Sequence, residues 1–309
     1  MKANRFFSRR SFLGQSSMCL GGVLLPLRFA QQLPAQDLAH YKPKISAHIW
    51  VYASAFPPNW DATPVLEKAF SDLHVAGLDG VELMEVVLRH DDSVEHLSRL
   101  AKQYDLPVTG ASYGAAMWDA AKHAEILPDV ALVVKRLGKL KGKTLGISVG
   151  DAGRPKTEAE LDAQAQLLMK IQAICGDSGV VANLHNHTYE VGNGMHDLKG
   201  TLARIPDIKL GPDLNWLIRA GVDPVWFIKT YGHQMVYMHL RDQYQDGTWT
   251  EYLGQGATDF PGIAKALKDI AFKGRAAIEL AFPQNFVPKY PLAEDWKRSR
   301  DYVTTVFGW

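Results

Sequence analysis

Cysteine is nearly missing from this sequence. Cys19 and Cys175 are its only two. Cys19 falls in an N-terminal stretch read below as a removable leader, so the remaining chain cannot form an internal disulfide whatever compartment it reaches. Cys175 sits inside the apolar pattern of a helix and reads as core rather than as a nucleophile. Neither sign of charge is in excess: 34 Lys and Arg stand against 33 Asp and Glu, a formal charge of +1, which leaves nucleic acid without electrostatic support as a partner. There is no linker, low-complexity tract or exact internal repeat. Walker and dinucleotide fingerprints are absent too. Gly254-Gln255-Gly256 alone is a weak signal for phosphate, although its amides could approach a substrate oxygen. No hydrophobic run is long enough to span a bilayer, since Phe12 to Leu27 is interrupted by Gly14, Gly21, Gly22 and Pro26.

Lys2, Arg5, Arg9 and Arg10 precede that run, and the first acidic residue is Asp37. This is the layout of an export signal that is cleaved rather than kept as an anchor. Ser8-Arg9-Arg10-Ser11-Phe12-Leu13 resembles the twin-arginine signal of bacteria, a receptor-read address. The expectation is a signal peptide over residues 1–35, cut after Ala30 or Ala35, and a periplasmic or otherwise exported product that engages the twin-arginine machinery in transit. Changing Arg9 and Arg10 to lysine should leave unprocessed precursor inside the cell, and unchanged export of that double variant would refute the reading.

What is present is a regular alternation of strand and helix signals through residues 36–309, enough for one large barrel domain. Strands are expected over Ile45–Tyr52, Gly80–Met84, Leu106–Ser112, Thr144–Val149, a fifth run after Gly179, Lys209–Leu214, Met235–Leu240 and Ala276–Ala281. Between them, Thr63-Pro64 opens one helix, Asp92 with Glu95 offers a capping box for a second, and Thr157 with Glu160 offers another for a long helix through Ile174. Further helices are expected near Asp223–Tyr231, Phe260–Ile270 and Leu292–Val306. Eight strands, each followed by a helix, predict an α/β fold of the (β/α)8 barrel type.

Four strand ends carry ligand-type residues. VVANLHNHTYE delivers His185, KLGPDLNW delivers Asp213, MVYMHLRD delivers His239 and AAIELAFP delivers Glu279, at gaps of 28, 26 and 40 positions. One such residue per βα unit is what converges at the C-terminal mouth of a barrel, and two imidazoles with two carboxylates form a divalent-metal ligand set. A cation held there polarises a carbonyl and stabilises an enediolate, provided a base takes the neighbouring C–H proton. His187, Glu190 and Glu279 are the candidate bases, His187 first because it follows the ligand by two positions. Trp216, Arg241, Glu82 and Trp118 are expected to touch substrate. Trp50, Tyr113, Trp118 and Trp216 fall near the mouth, where aromatic faces suit a carbohydrate. His48 would sit across the mouth, and Asp242 behind the ligands.

The ordered set GLDGVEL, HNHTYE, DLNWLIRAGVDP, HLRD, LGQGATDF and AIEL resembles the sugar isomerase/epimerase superfamily of xylose-isomerase-like TIM barrels over nearly all of the mature chain. The resemblance implies one divalent ion, Mn, Co, Mg or Zn, with Asp213, His239 and Glu279 matching three family ligands. The fourth, usually glutamate, is His185 here. A second departure is Trp216, where many members have histidine. Losing one carboxylate of a proton-moving pair keeps a metal-dependent isomerase or epimerase of a sugar or sugar derivative as the first reading. It brings close a lyase that eliminates the aglycone of a 3-keto-glycoside or water from a keto-inositol; a sugar-binding barrel without catalysis is the third. The expected partner is a small carbohydrate, and a homo-oligomer stays open.

Overall fold

The computed structural model describes residues 41–283 and 285–309; the leader expected over 1–35 lies outside them. Eight strands form one parallel sheet in the order β6-β5-β4-β3-β2-β1-β8-β7, with helices between successive strands. These strands are β1 Ile45–His48, β2 Gly80–Met84, β3 Val108–Gly114, β4 Thr144–Ser148, β5 Val181–Leu184, β6 Lys209–Leu210, β7 His239–Leu240 and β8 Ala276–Glu279. Parallel strands covered by helices are buried on both faces, so they read as continuous apolar runs rather than alternating ones. Ile45, Ala47, Val81, Leu83, Leu145, Ile147 and Ile278 are all buried completely.

The ring closes between β6 and β7 without a regular ladder. Leu210 bridges Met235 and Asp213 bridges His239 as isolated pairs. Pro212 has no N–H to offer, so only its carbonyl joins, accepting from His239 N at 2.9 Å. Gly211 leaves room for neighbouring side chains: a Cβ there would fall 1.9 Å from Asn183 Oδ1. With Pro212 in the ladder, β6 and β7 are shorter than the expected Lys209–Leu214 and Met235–Leu240. The first expected strand is also cut short, since the chain turns at Ile49 into a helical turn, α1, Trp50–Ala53.

Helix starts follow local chemistry unevenly. Thr157 and Glu160 form both bonds of the expected capping box on α5, Glu158–Asp177. At α3, Ser93–Gln103, Asp92 occupies the cap position but its side chain makes no capping bond, so that expected box is not formed. Thr63-Pro64 opens a 3₁₀ turn, Thr63–Val65, before α2, Leu66–Val75. The sequence reading passed over α4, His123–Lys139. Among the described residues no helix is long and apolar enough to cross a membrane.

The last helix, α11, Leu292–Phe307, buries an uncompensated carboxyl. Asp295 is fully buried and neither carboxylate oxygen has a partner. Burial, and then the charge of Glu251, push its pKa up from 3.8 to about 8. A carboxyl raised in this way stabilises the fold fully below its unfolded value and loses that contribution as pH climbs through the folded one. Asp295→Asn should therefore leave stability near pH ~4 almost unchanged and raise it near pH ~9 by about 1–3 kcal/mol, less than the full shift because water and neighbouring groups relax around the ionised carboxylate. Thermal melts across that range check it; a variant difference that does not change with pH would count against the assignment.

Candidate active site

Sheet register sets polar side chains side by side at the C-terminal end of the barrel. His48 on β1 pairs with Glu82 on β2 and with Glu279 on β8, while Asp213 bridges His239 across the seam. Asp213 also caps α8, Leu214–Arg219. Its Oδ1 accepts from the backbone N–H groups of Asn215 at 2.8 Å and Trp216 at 3.1 Å. That leaves Oδ2 buried with no hydrogen-bond partner; an Arg241 nitrogen lies 3.4 Å away. His239 directs Nε2 at Glu82 Oε2, 2.6 Å away, and Glu82 also accepts from Tyr237 Oη at 2.9 Å. Its other nitrogen, Nδ1, faces the cluster and makes no aligned hydrogen bond, although Glu279 Oε2 is 2.8 Å distant.

One ligand atom each from His185, Asp213 and His239 lie within 4.8 Å of one another, and all three residues are buried. Two of these residues carry an orphaned buried atom in a site of imidazole and carboxylate donors. This is what a divalent cation needs, with a carboxylate behind the histidine to orient it. Electrostatics agree at His185 and Asp213. Burial, and then the positive charges that would develop on His239 and His187, hold His185 well below the ordinary histidine pKa, keeping a lone pair free. Burial raises Asp213, so a cation there would relieve the cost of ionising it. For His239, burial would lower the pKa, but Glu82 and Glu279 outweigh it and hold it well above the ordinary range, so an ion would have to displace a ring proton there.

Glu279, the fourth expected ligand, lies beside this cluster rather than in it. Its carboxylate touches His239 and the guanidinium of Arg241. Burial would raise its pKa, but Arg241, His48 and His239 together hold it well below the carboxylate range. Arg241 is itself 5.5 Å from the centre of the Trp216 ring and 5.0 Å from that of Trp249. This pair of aromatic walls keeps the cation fixed and dry.

Above the cluster is a cavity of about 220 Å³ lined by His185, His187, His239, Arg241, Trp216, Trp249 and Glu279, with His48, Trp50, Tyr113 and Glu85 on other sides. Expected residues Trp216, Arg241, His187 and Glu279 thus face one space. Three others do not. Glu190, expected as a base, is buried and filled by donors: Ser148 Oγ at 2.6 Å, Val149 N at 3.2 Å and His187 N at 2.6 Å. It anchors the turn that presents His187. Glu82, expected at substrate, is spent on His239 and Tyr237. Trp118 lies off the cavity with its Nε1 buried and unpaired. The Gly254–Gly256 loop is also committed elsewhere, because the N–H groups of Gly254 and Gly256 both bond Asp242 Oδ2 at 2.9 Å.

His187 carries the freest ring of the group. Its side chain is 36% exposed, and Nδ1 is engaged by Tyr189 Oη at 3.0 Å and Ser148 Oγ at 3.3 Å, leaving Nε2 as the nitrogen for a substrate. Sequence reasoning missed Trp249, Ser148, Tyr189 and Glu85. Burial raises the Glu85 carboxyl above its ordinary value, partly offset by Arg89, so it keeps its proton to higher pH than a free carboxyl. The only signal for Glu85 was its place directly after a strand end.

The match to known families decides the class, since residues 70–305 fit the model described as xylose isomerase-like TIM barrel. The chain belongs to that family. No curated protein matches it. Among solved structures, D-allulose 3-epimerase from Methylomonas sp. in complex with D-allulose is similar at TM-score 0.70 and 17% identity, covering 86% of this chain and 98% of that one. The 3-keto-D-glucoside 4-epimerase of E. coli matches at TM-score 0.66 and 15% identity, covering 85% and 100%. A sugar phosphate isomerase/epimerase from Parabacteroides distasonis matches at 0.67 and 14%, covering 84% and 93%. At these identities the likeness is one of fold.

Proposed function

We propose that this protein is a divalent-metal-dependent isomerase or epimerase of a sugar or sugar derivative, working by proton abstraction beside a carbonyl. The observation that carries the reading is the buried Asp213 Oδ2, free of any hydrogen bond, beside His185 and His239, which line a sugar-sized cavity with Trp216 and His187 in its wall. His185, Asp213 and His239, with Glu279 adjacent, would hold the ion. When bound, such an ion polarises a carbonyl and stabilises negative charge on neighbouring oxygens. The chain's own groups do the rest. Trp216 and Trp249 offer faces to the C–H surface of the ring. Arg241 adds fixed positive charge near the developing enediolate. Nε2 of His187 takes the proton, its ring held by Tyr189 and Ser148, and Glu279, kept ionised, stands on another strand to exchange a proton with substrate.

A second reading, a lyase acting on a keto-glycoside, is favoured by Glu85. A carboxyl in the cavity wall whose burial favours the protonated form is suited to protonate a departing group. Incubating metal-loaded protein in deuterium oxide with ketoses, inososes and 3-keto-glycosides separates the two. Deuterium in a recovered stereoisomer supports the first reading, and released aglycone or water the second. Binding without exchange or product would leave a sugar-binding barrel and defeat both.

A further inference from the structure

The cavity is small for a binding site. About 220 Å³ falls below the roughly 300–1,000 Å³ of pockets that enclose a drug-sized ligand, so it takes one sugar ring, and anything attached to that ring must leave through the mouth. What it meets there is a second aromatic pair. Trp50 lines the cavity, and its ring lies 5.4 Å from that of Trp60, tilted by 51°. Trp60 does not line the cavity and keeps 36% of its surface exposed.

The backbone at Trp60 is unusual as well. Its φ is +54°, the left-handed region that costs a bulky residue about 1–2 kcal/mol. Its N–H bonds the Phe56 carbonyl at 2.8 Å, which closes the turn that holds it there. Glycine or asparagine would fill this position without strain. A core role would justify the strain through burial, and Trp60 is instead among the large apolar residues left in water. An outlier that the surroundings enforce, bearing an exposed indole against a cavity-lining one, directs attention to ligand contact.

We propose that Trp60, backed by Trp50, forms an outer subsite that stacks on the aglycone or second ring of a glycoside whose first ring occupies the cavity. The proposal rests on the sugar-binding reading of that cavity and narrows its substrate class from free monosaccharides to glycosides carrying a flat or ring-shaped group. Trp216 and Trp249 hold the inner ring, and Trp60 grips what protrudes.

Titration calorimetry with methyl and phenyl D-glucopyranosides of both anomers tests it without requiring turnover. The intact protein should bind one phenyl anomer about fivefold more tightly than its methyl counterpart, the size expected for one aromatic stack. Trp60→Ala should erase that ratio while leaving the methyl glucoside affinity unchanged, whereas Trp216→Ala should weaken both. Trp60→Gly controls for folding, because glycine accepts the positive φ; its melting temperature should hold or rise while the phenyl preference disappears. An unchanged ratio in Trp60→Ala or Trp60→Gly overturns the subsite alone. A marked loss of stability in Trp60→Gly shows that Trp60 packs the fold and overturns it too. Failure of every glucoside to bind the intact protein overturns the subsite, and the sugar-binding reading falls with it only if ketoses, inososes and 3-keto-glycosides also fail to bind.

Discussion

Asp213→Asn should empty the proposed metal site without disturbing the barrel. The two carboxylate oxygens have separate duties: Oδ1 caps α8, and Oδ2 accepts no hydrogen bond and has only the charge of Arg241 at 3.4 Å. Asparagine retains a carbonyl oxygen for the cap, a role in which it equals aspartate, so the helix keeps its start. In place of Oδ2 it puts an N–H₂ group, which carries no charge and cannot donate a lone pair. Substitutions merely behind a ligand cost about 10–100-fold in metal affinity, so loss of the ligand atom itself should exceed about 100-fold, and turnover should fall with it. Elemental analysis after desalting should find about one divalent ion per wild-type chain and almost none in the variant, with closely similar melting curves for the metal-free proteins. Full occupancy in Asp213→Asn would remove the basis for the cluster. Glu279→Gln is expected to lower occupancy less, because Glu279 touches His239 and Arg241 from outside the three-residue group.

The second large effect separates the proposed ligand from the proposed base, two residues apart. His185→Ala should lose the ion and turnover together. His187→Ala should keep the ion near one per chain and lose turnover by about 10² to 10⁴-fold, the usual contribution of a general base. The structural reason lies in their surroundings. His185 is buried, 4.8 Å from His239 between ring centres, with its proton affinity suppressed. His187 is half-open to the cavity and steadied through Nδ1 by Tyr189 and Ser148. Metal content and solvent-deuterium exchange measured on the same preparations decide the matter. Loss of the ion in His187→Ala with retention in His185→Ala would exchange the two roles.

Much of the architecture could be read from the chain because the strands are apolar on both faces and bounded by turn residues; β2, β4 and β8 fall where those runs end. The sixth and seventh strands shrank for a reason no periodicity records, namely that Pro212 interrupts the ladder. The pattern for α4 was present in Ile126, Val130, Val133, Val134 and Leu137, all buried, at helical spacing, but Pro128 stands in its second turn, a residue type that usually marks a helix boundary. In the site, His185, Asp213 and His239 were legible because a strand end is a position along the chain, and a parallel sheet brings such positions together. Glu190 and Glu82 were misjudged because an acidic residue near a strand end looks the same in sequence whether it faces a cavity or is saturated by neighbouring donors. Trp249 rides on the loop after β7, where no spacing announces direction, and it came to light only through its packing on Arg241 and Trp216.

The interrupted joint at Pro212 gives the mouth of the barrel a clasp. Elsewhere adjoining staves are sewn together by continuous backbone stitches, but here the last gap is held by single stitches, at Leu210 with Met235 and at Asp213 with His239. The two lips of that gap carry side chains that would grip an ion, so the most loosely sewn joint of the vessel lies directly at its working end.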